Sequence, residues 1–97
     1  MSYEFRGIVM DEDIKESIDR YANHGVPTGG FLQACIENNL SEAVGRADDR
    51  HMAMIPAIVG YLYNEVDRRC WGRAGVFGEW VKLKHEERRE EQEASAQ

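Results

Sequence analysis

Between Asp48 and Val66 the chain reads "DDRHMAMIPAIVGYLYNEV", a long apolar stretch opened by acids and interrupted once, by Pro56. In a chain of 97 residues this segment has to supply the centre of any core. Proline costs about 3 kcal/mol inside a helix but suits a first turn. The pattern therefore predicts an ordered helix over 55–66, with a looser turn before it and Asp48 or Asp49 as its cap. Ile55, Ile58, Val59, Leu62, Tyr63 and Val66 are expected to form the most buried face in the protein.

The rest of the chain has to cover that face. "DEDIKESIDRYANHG" starts with acids, places Ile14, Ile18 and Tyr21 at helical spacing and stops at Gly25, which predicts a helix over 11–23. Pro27 holds Val26 extended and Thr28 is a candidate cap, so the next helix is expected to begin near Gly29 or Gly30. Phe31, Leu32, Cys35, Ile36 and Leu40 form its apolar face. Asn38 and Asn39 predict a break or bend, after which Ser41 can cap "EAVGRAD", with Ala43, Val44 and Ala47 continuing the stripe. Pattern alone leaves open whether residues 29–48 form one bent helix or two short ones. A final helix, with Val76, Phe77, Trp80, Val81 and Leu83 on its apolar side, is expected from about 74 to the high 80s. Tyr3, Phe5, Ile8 and Val9 around Gly7 read as a short extended arm lying across the helical body.

The resulting expectation is an all-α, single-domain bundle of four to five short helices. Residues 1–10 form an N-terminal arm, 11–83 the helical domain, and 84–97 a polar helical tail that is partly disordered. A domain this small buries only about 60 to 65% of its unfolded surface, so a homodimer is expected to help stabilise it.

Eighteen acidic residues against 12 basic give a net charge of -6, which disfavours sequence-independent binding to a nucleic-acid backbone. No apolar run reaches the roughly 20 residues that span a bilayer, and "MSYEFRGIVMDED" has no signal-peptide pattern, so no membrane contact and a cytoplasmic location are expected. Cys35 and Cys70 form no C-x-x-C pair and read as buried thiols.

The paired glycines, Gly29 and Gly30, could bare helix amides to an anion, but no preceding strand or P-loop lysine accompanies them. Their expected role is steric, letting neighbouring backbones pass closely, with Gly60 doing the same inside its helix. His24, His51 and His85 lie in separate segments without metal-ligand spacing, and no nucleophile has a base at a recognisable spacing. No catalytic residue, metal or cofactor is therefore expected. Glu37, Glu42, Asp48 and Asp49 alternate with Arg46 and Arg50, the pattern of a salt-linked solvent face. Tyr61, Tyr63, Trp71, Phe77 and Trp80 fall within twenty residues, close to Arg68, Arg69 and Arg73. Tyr61 and Tyr63 point in different directions on a helix, so only one can join the core. Tyr61, Arg68, Arg69, Trp71 and Arg73 are the expected protein-binding set, since Tyr, Trp and Arg are enriched at protein contacts.

The stretch "GVPTGGFLQACIENNLSEAVGRAD", followed by "IVGYLYNE" and "CWG", resembles a family of short phage and prophage proteins of uncharacterised function. The likeness covers roughly residues 20 to 80. It implies an origin in a mobile element, where small acidic helical proteins act by binding and blocking or redirecting a host protein, such as a defence component. The expected function is that of a non-enzymatic accessory protein with a host protein as its partner. The alternative is a transcriptional regulator of helix-turn-helix type, for which "FLQACIENNLSEAVGRAD" carries few basic residues. An acidic surface that imitates DNA is a variant of the first reading.

Overall fold

The computed structural model describes residues 3–95. A hairpin of β1 (Tyr3–Phe5) and β2 (Ile8–Met10) is followed by α1 (Glu12–His24), α2 (Gly30–Ile36), α3 (Leu40–Arg46), α4 (Asp49–Glu65), a 3₁₀ turn (Arg68–Cys70) and α5 (Val76–Ser95). The all-α class holds: five helices build the core, and the two short strands are its only sheet among the described residues.

The expected arm is this hairpin. β1 and β2 pair antiparallel with Tyr3 opposite Met10 and Phe5 opposite Ile8. Arg6 and Gly7 both have positive φ, 52° and 82°, which is the turn geometry whose twist matches that of the flanking strands. The hairpin packs on α4, and Met10 is fully buried there.

α1 follows its periodicity. Ile14, Ile18 and Tyr21 are buried, and Gly25 ends the helix in the left-handed region. The Gly25 amide donates to the Tyr21 carbonyl and the Val26 amide to the Arg20 carbonyl, which satisfies two carbonyls of the last turn. The asparagine break is a full separation into two helices. Asn38 has φ of 58°, and the Asn39 side chain, not Ser41, accepts the Glu42 amide to start α3. Thr28 does not cap α2 either: the preceding residue is Gly29, and the Thr28 hydroxyl donates to the Gly29 carbonyl.

α4 departs furthest from expectation. It starts at Asp49, capped by Asp48 accepting the His51 amide at 2.8 Å, and runs through Pro56 without a break. A good cap and a strongly apolar face outweigh the missing Pro56 N–H. The buried face is Met54, Ile55, Ala57, Ile58, Tyr61 and Leu62. Val59 and Tyr63, expected inside, are exposed. The hairpin decides this orientation, because the Phe5 ring lies on Gly60 and so covers the side of α4 that carries Tyr61.

That contact gives Gly60 a steric role, against the Phe5 ring and not against a neighbouring backbone, and the role expected of the glycine pair falls to other positions. A methyl group built on Gly29 meets nothing within 4 Å, and one on Gly30 meets only the end of the Arg46 side chain. Crowding occurs instead against side chains, at Gly25, where a Cβ would lie 2.5 Å from the Cβ of Lys84 on α5, and at Gly60, 2.8 Å from two Phe5 ring carbons. Alanine in place of a helix-interior glycine ordinarily stabilises by about 1 kcal/mol. Overpacking of this kind costs about 1 to 3 kcal/mol, so the sign should reverse here. Gly60→Ala is expected to lower stability in urea unfolding, while the same change made beside Phe5→Leu should be neutral or stabilising. Equal effects in both backgrounds would remove the Phe5 contact as the cause.

α5 packs through Val76, Phe77 and Trp80 against α1 and α2, then continues as a polar helix to Ser95, beyond the end expected in the high 80s. Good helix formers and pairs such as Lys84–Glu87 at 3.2 Å sustain it. The disorder expected after the high 80s is replaced by helix up to Ser95, and only residues 96 and 97 of that stretch lie outside the described residues. The projecting helix lengthens the molecule to 50 × 28 × 20 Å.

A rigid arginine loop as the candidate functional site

The segment from Val66 to Gly75 connects α4 to α5 and carries most of the expected site. The α4 helix ends as Val66 turns extended, and the Asp67 carboxylate accepts the Arg69 amide at 2.9 Å, which closes the 3₁₀ turn. Four further bonds fix this loop, three of them to the body and one, from Trp71, within the loop itself. The Tyr21 hydroxyl donates to the Cys70 carbonyl at 2.8 Å, and the Trp71 indole donates to the Val66 carbonyl at 3.3 Å. The Gly72 amide donates to the Ile36 carbonyl at 2.7 Å and the Gly75 amide to the Glu37 carboxylate at 2.8 Å. Gly72 and Gly75 both take positive φ, 101° and 83°. Cys70 is fully buried, and Tyr21 beneath it stacks on Phe77.

This scaffold places the five expected binding residues in two groups. Tyr61 and Trp71 are not surface anchors: they are 7% and 8% exposed and belong to the core. The exposed tyrosine is Tyr63, at 71%, whose ring meets the Trp71 edge at 6.5 Å. Two residues apart on a helix means opposite faces, so the sequence marked the pair without saying which one turns outward. The three arginines are exposed. The Arg68 guanidinium lies 4.6 Å from the centre of the Trp71 ring and has no carboxylate partner among the described residues. Arg69 grips Asp67 with two nitrogens, at 2.7 and 3.1 Å, and holds that carboxyl down at a pKa of about 2. Arg73 pairs with Glu79 at 2.6 Å.

The loop divides two surfaces. On the Arg69 side a groove of about 420 Å³ opens between α1, α4 and α5, rimmed by Asp19, Asn23, Glu65 and Lys84 with Tyr61 and Trp80 at its floor. There the Tyr61 hydroxyl donates to Asp19, which also accepts the Lys15 ammonium at 2.9 Å. Burial and the Asp19 charge raise the Tyr61 pKa, so the phenol keeps its proton. On the Arg68 side the surface is apolar and continues along α4 and α3 through Tyr63, Val59 and Leu40.

The remaining candidates are placed as follows. Burial pushes the Cys35 and Cys70 thiols up to about 11, so neither is a thiolate at neutral pH. Glu42 and Arg46 form an exposed pair at 3.0 Å, as expected of a solvent face. The α2–α3 pair has helix-turn-helix connectivity, but α3 presents Arg46 alone, already paired, beside exposed Leu40 and Val44. Among the described residues no three His, Cys, Asp or Glu side chains converge as a metal site, and no helix is long and apolar enough to cross a membrane. Comparison with family models, with curated proteins and with solved structures gives no match.

Proposed function

We propose that this protein is a non-enzymatic accessory protein of phage or mobile-element origin that acts in the host cytoplasm by occupying the surface of a host protein, such as a defence component. The observation that carries this reading is the loop from Val66 to Gly75. Arg68, Arg69 and Arg73 stand exposed on a backbone bonded to α1, α2 and α4, in a chain whose net charge is -6. Side chains fixed before docking lose little conformational entropy on binding. Guanidiniums beside Trp and Tyr rings are the groups in which binding energy concentrates. The chemistry they would recognise is an acidic, partly apolar protein surface.

The resemblance of residues 20 to 80 to short phage proteins supports the origin. The Arg69 side, with its groove, is the side assigned to the host protein.

Capture from a bacterial lysate, followed by mass spectrometry, tests the reading with the wild type beside an Arg69→Glu/Arg73→Glu variant. One host protein should be retained by the wild type and lost at least about tenfold from the variant, with far-UV circular dichroism unchanged. Retention of the same protein by both would remove the arginine loop as the binding surface.

A further inference from the structure

α4 is apolar on both sides. From His51 to Asn64 it carries no Asp, Glu, Lys or Arg, although one side is buried in the core and the other faces solvent. A helix with that composition ordinarily has neighbours all round. The outward residues are Met52, Pro56, Val59 and Tyr63, with Met52 and Val59 each 41% exposed. Their spacing is four, three and four, the alternation of a two-helix seam. Leu40, 65% exposed on α3, borders Val59 in a shallow depression and widens the apolar strip.

That spacing reads the same in both directions. If a second α4 lies antiparallel across the first, with a two-fold axis midway between Pro56 and Val59, Met52 faces the partner's Tyr63 and Pro56 faces the partner's Val59. A two-fold contact requires this self-complementarity, in which residue i meets j while j meets i.

The charges at the two ends agree. Asp48 stands one turn before Met52 on the same side, with its carboxylate two-thirds exposed. Arg68, the one of the three loop arginines without a carboxylate partner among the described residues, lies over Trp71 next to Tyr63. In the antiparallel arrangement the acidic start of each α4 meets the Arg68 end of the other, and the helix dipoles oppose.

We infer that the outer face of α4 is the homodimer interface, an antiparallel α4–α4 seam flanked by α3 and closed at each end by Asp48 against the partner's Arg68. This deepens the proposed function and rests on it for the second surface: the Arg69 groove stays open on both copies, so the dimer would present two host-binding sides.

Sedimentation over a hundredfold range of concentration, with thiols kept reduced, tests the interface. The wild type should sediment at twice the 11.1 kDa of one chain. Val59→Glu should weaken the dimer at least about tenfold while leaving circular dichroism unchanged. Register is read from added cysteines: a mixture of Met52→Cys and Tyr63→Cys chains should form a disulfide between copies, and Met52→Cys alone should not. A wild type that stays monomeric overturns the inference, and so does a dimer linked through Met52→Cys alone. If Val59→Glu chains are monomeric but still capture the host protein, both readings stand. If the dimer forms and no host protein is captured, the interface stands and the proposed function fails. If the wild type is monomeric and Val59→Glu abolishes capture, the face belongs to the host protein and the dimer is overturned.

Discussion

Trp80→Ala is expected to remove about 3 to 5 kcal/mol of stability, the usual loss when a buried tryptophan is truncated. A domain of this length has roughly 5 to 15 kcal/mol in total, so the variant should be partly unfolded at room temperature or close to it. The size of the effect follows from what Trp80 joins. It sits on α5, it is buried, and its indole N–H reaches the Tyr21 and Ala22 carbonyls at the end of α1, both at 3.1 Å. The Tyr21 carbonyl also takes the Gly25 amide, but the Ala22 carbonyl falls where the helix has no further amide of its own to bond it. The Lys84 ammonium and the Arg69 guanidinium cover the ring, 4.9 and 5.9 Å from its centre. Beyond Trp80 the exposed side chains of α5 are largely polar, so little else anchors the long helix. Urea unfolding followed by circular dichroism measures the loss. Trp80→Phe, which keeps a ring but strands the Ala22 carbonyl, should cost about 1 to 3 kcal/mol. A cost below about 1 kcal/mol for Trp80→Ala would show that α5 is held some other way.

What the sequence made legible follows the range of the forces involved. α1 was readable because its signals are local: acids at the start, Ile14, Ile18 and Tyr21 one turn apart, and Gly25 in the left-handed region. The break at Asn38 and Asn39 was readable for the same reason, since both residues act on their own backbone. The outer face of α4 was not. A stripe can be oriented only if one side is polar, and between His51 and Asn64 neither side is charged. Choosing Tyr61 over Tyr63 as the exposed ring, and placing Val59 and Tyr63 in the core, are two results of that one ambiguity. The hairpin resolves it by laying Phe5 on Gly60, a contact between residues more than fifty positions apart.

At the candidate site the exposed Arg68, Arg69 and Arg73 could be read from composition, but the fixing of their loop could not. The bonds from Tyr21, Ile36 and Glu37 to Cys70, Gly72 and Gly75 cross between elements distant in sequence. Gly60 carried the stronger signal. Glycine inside a helix costs about 1 kcal/mol relative to alanine, so its place in mid-helix called for a close neighbour. Gly29 and Gly30 sit at a helix start, where glycine is cheap and signals less.

Alkaline pH should destabilise this protein through its buried thiols before its arginine ion pairs lose charge. Cys35 and Cys70 ionise near pH 9 when exposed, and the fold pushes each up to about 11, by burial at Cys35 and by burial with the nearby Asp67 carboxylate at Cys70. Below pH 9 both states hold the thiol protons and stability is undiminished. Between pH 9 and 11 the unfolded chain has lost protons that the native state keeps, so stability falls with pH, by up to about 1.4 kcal/mol per unit for each thiol. The two together would remove on the order of 5 kcal/mol by pH 11, comparable with the whole stability of a small domain. Tyr21, whose buried phenol is also raised, adds to the fall at the upper end of this range. Urea midpoints measured under reducing conditions at pH 8, 9, 10 and 11 give the slope. The Cys35→Ala/Cys70→Ala chain should start less stable at pH 8, because two buried side chains are shortened, and then decline much less steeply as the pH rises, keeping only the tyrosine contribution. The two curves should converge toward pH 11. Parallel curves would mean that the thiols ionise equally in both states, and that the Cys70 sulfur, 3.1 Å from the Asp67 carbonyl, is not shielded from solvent by the loop packed over it.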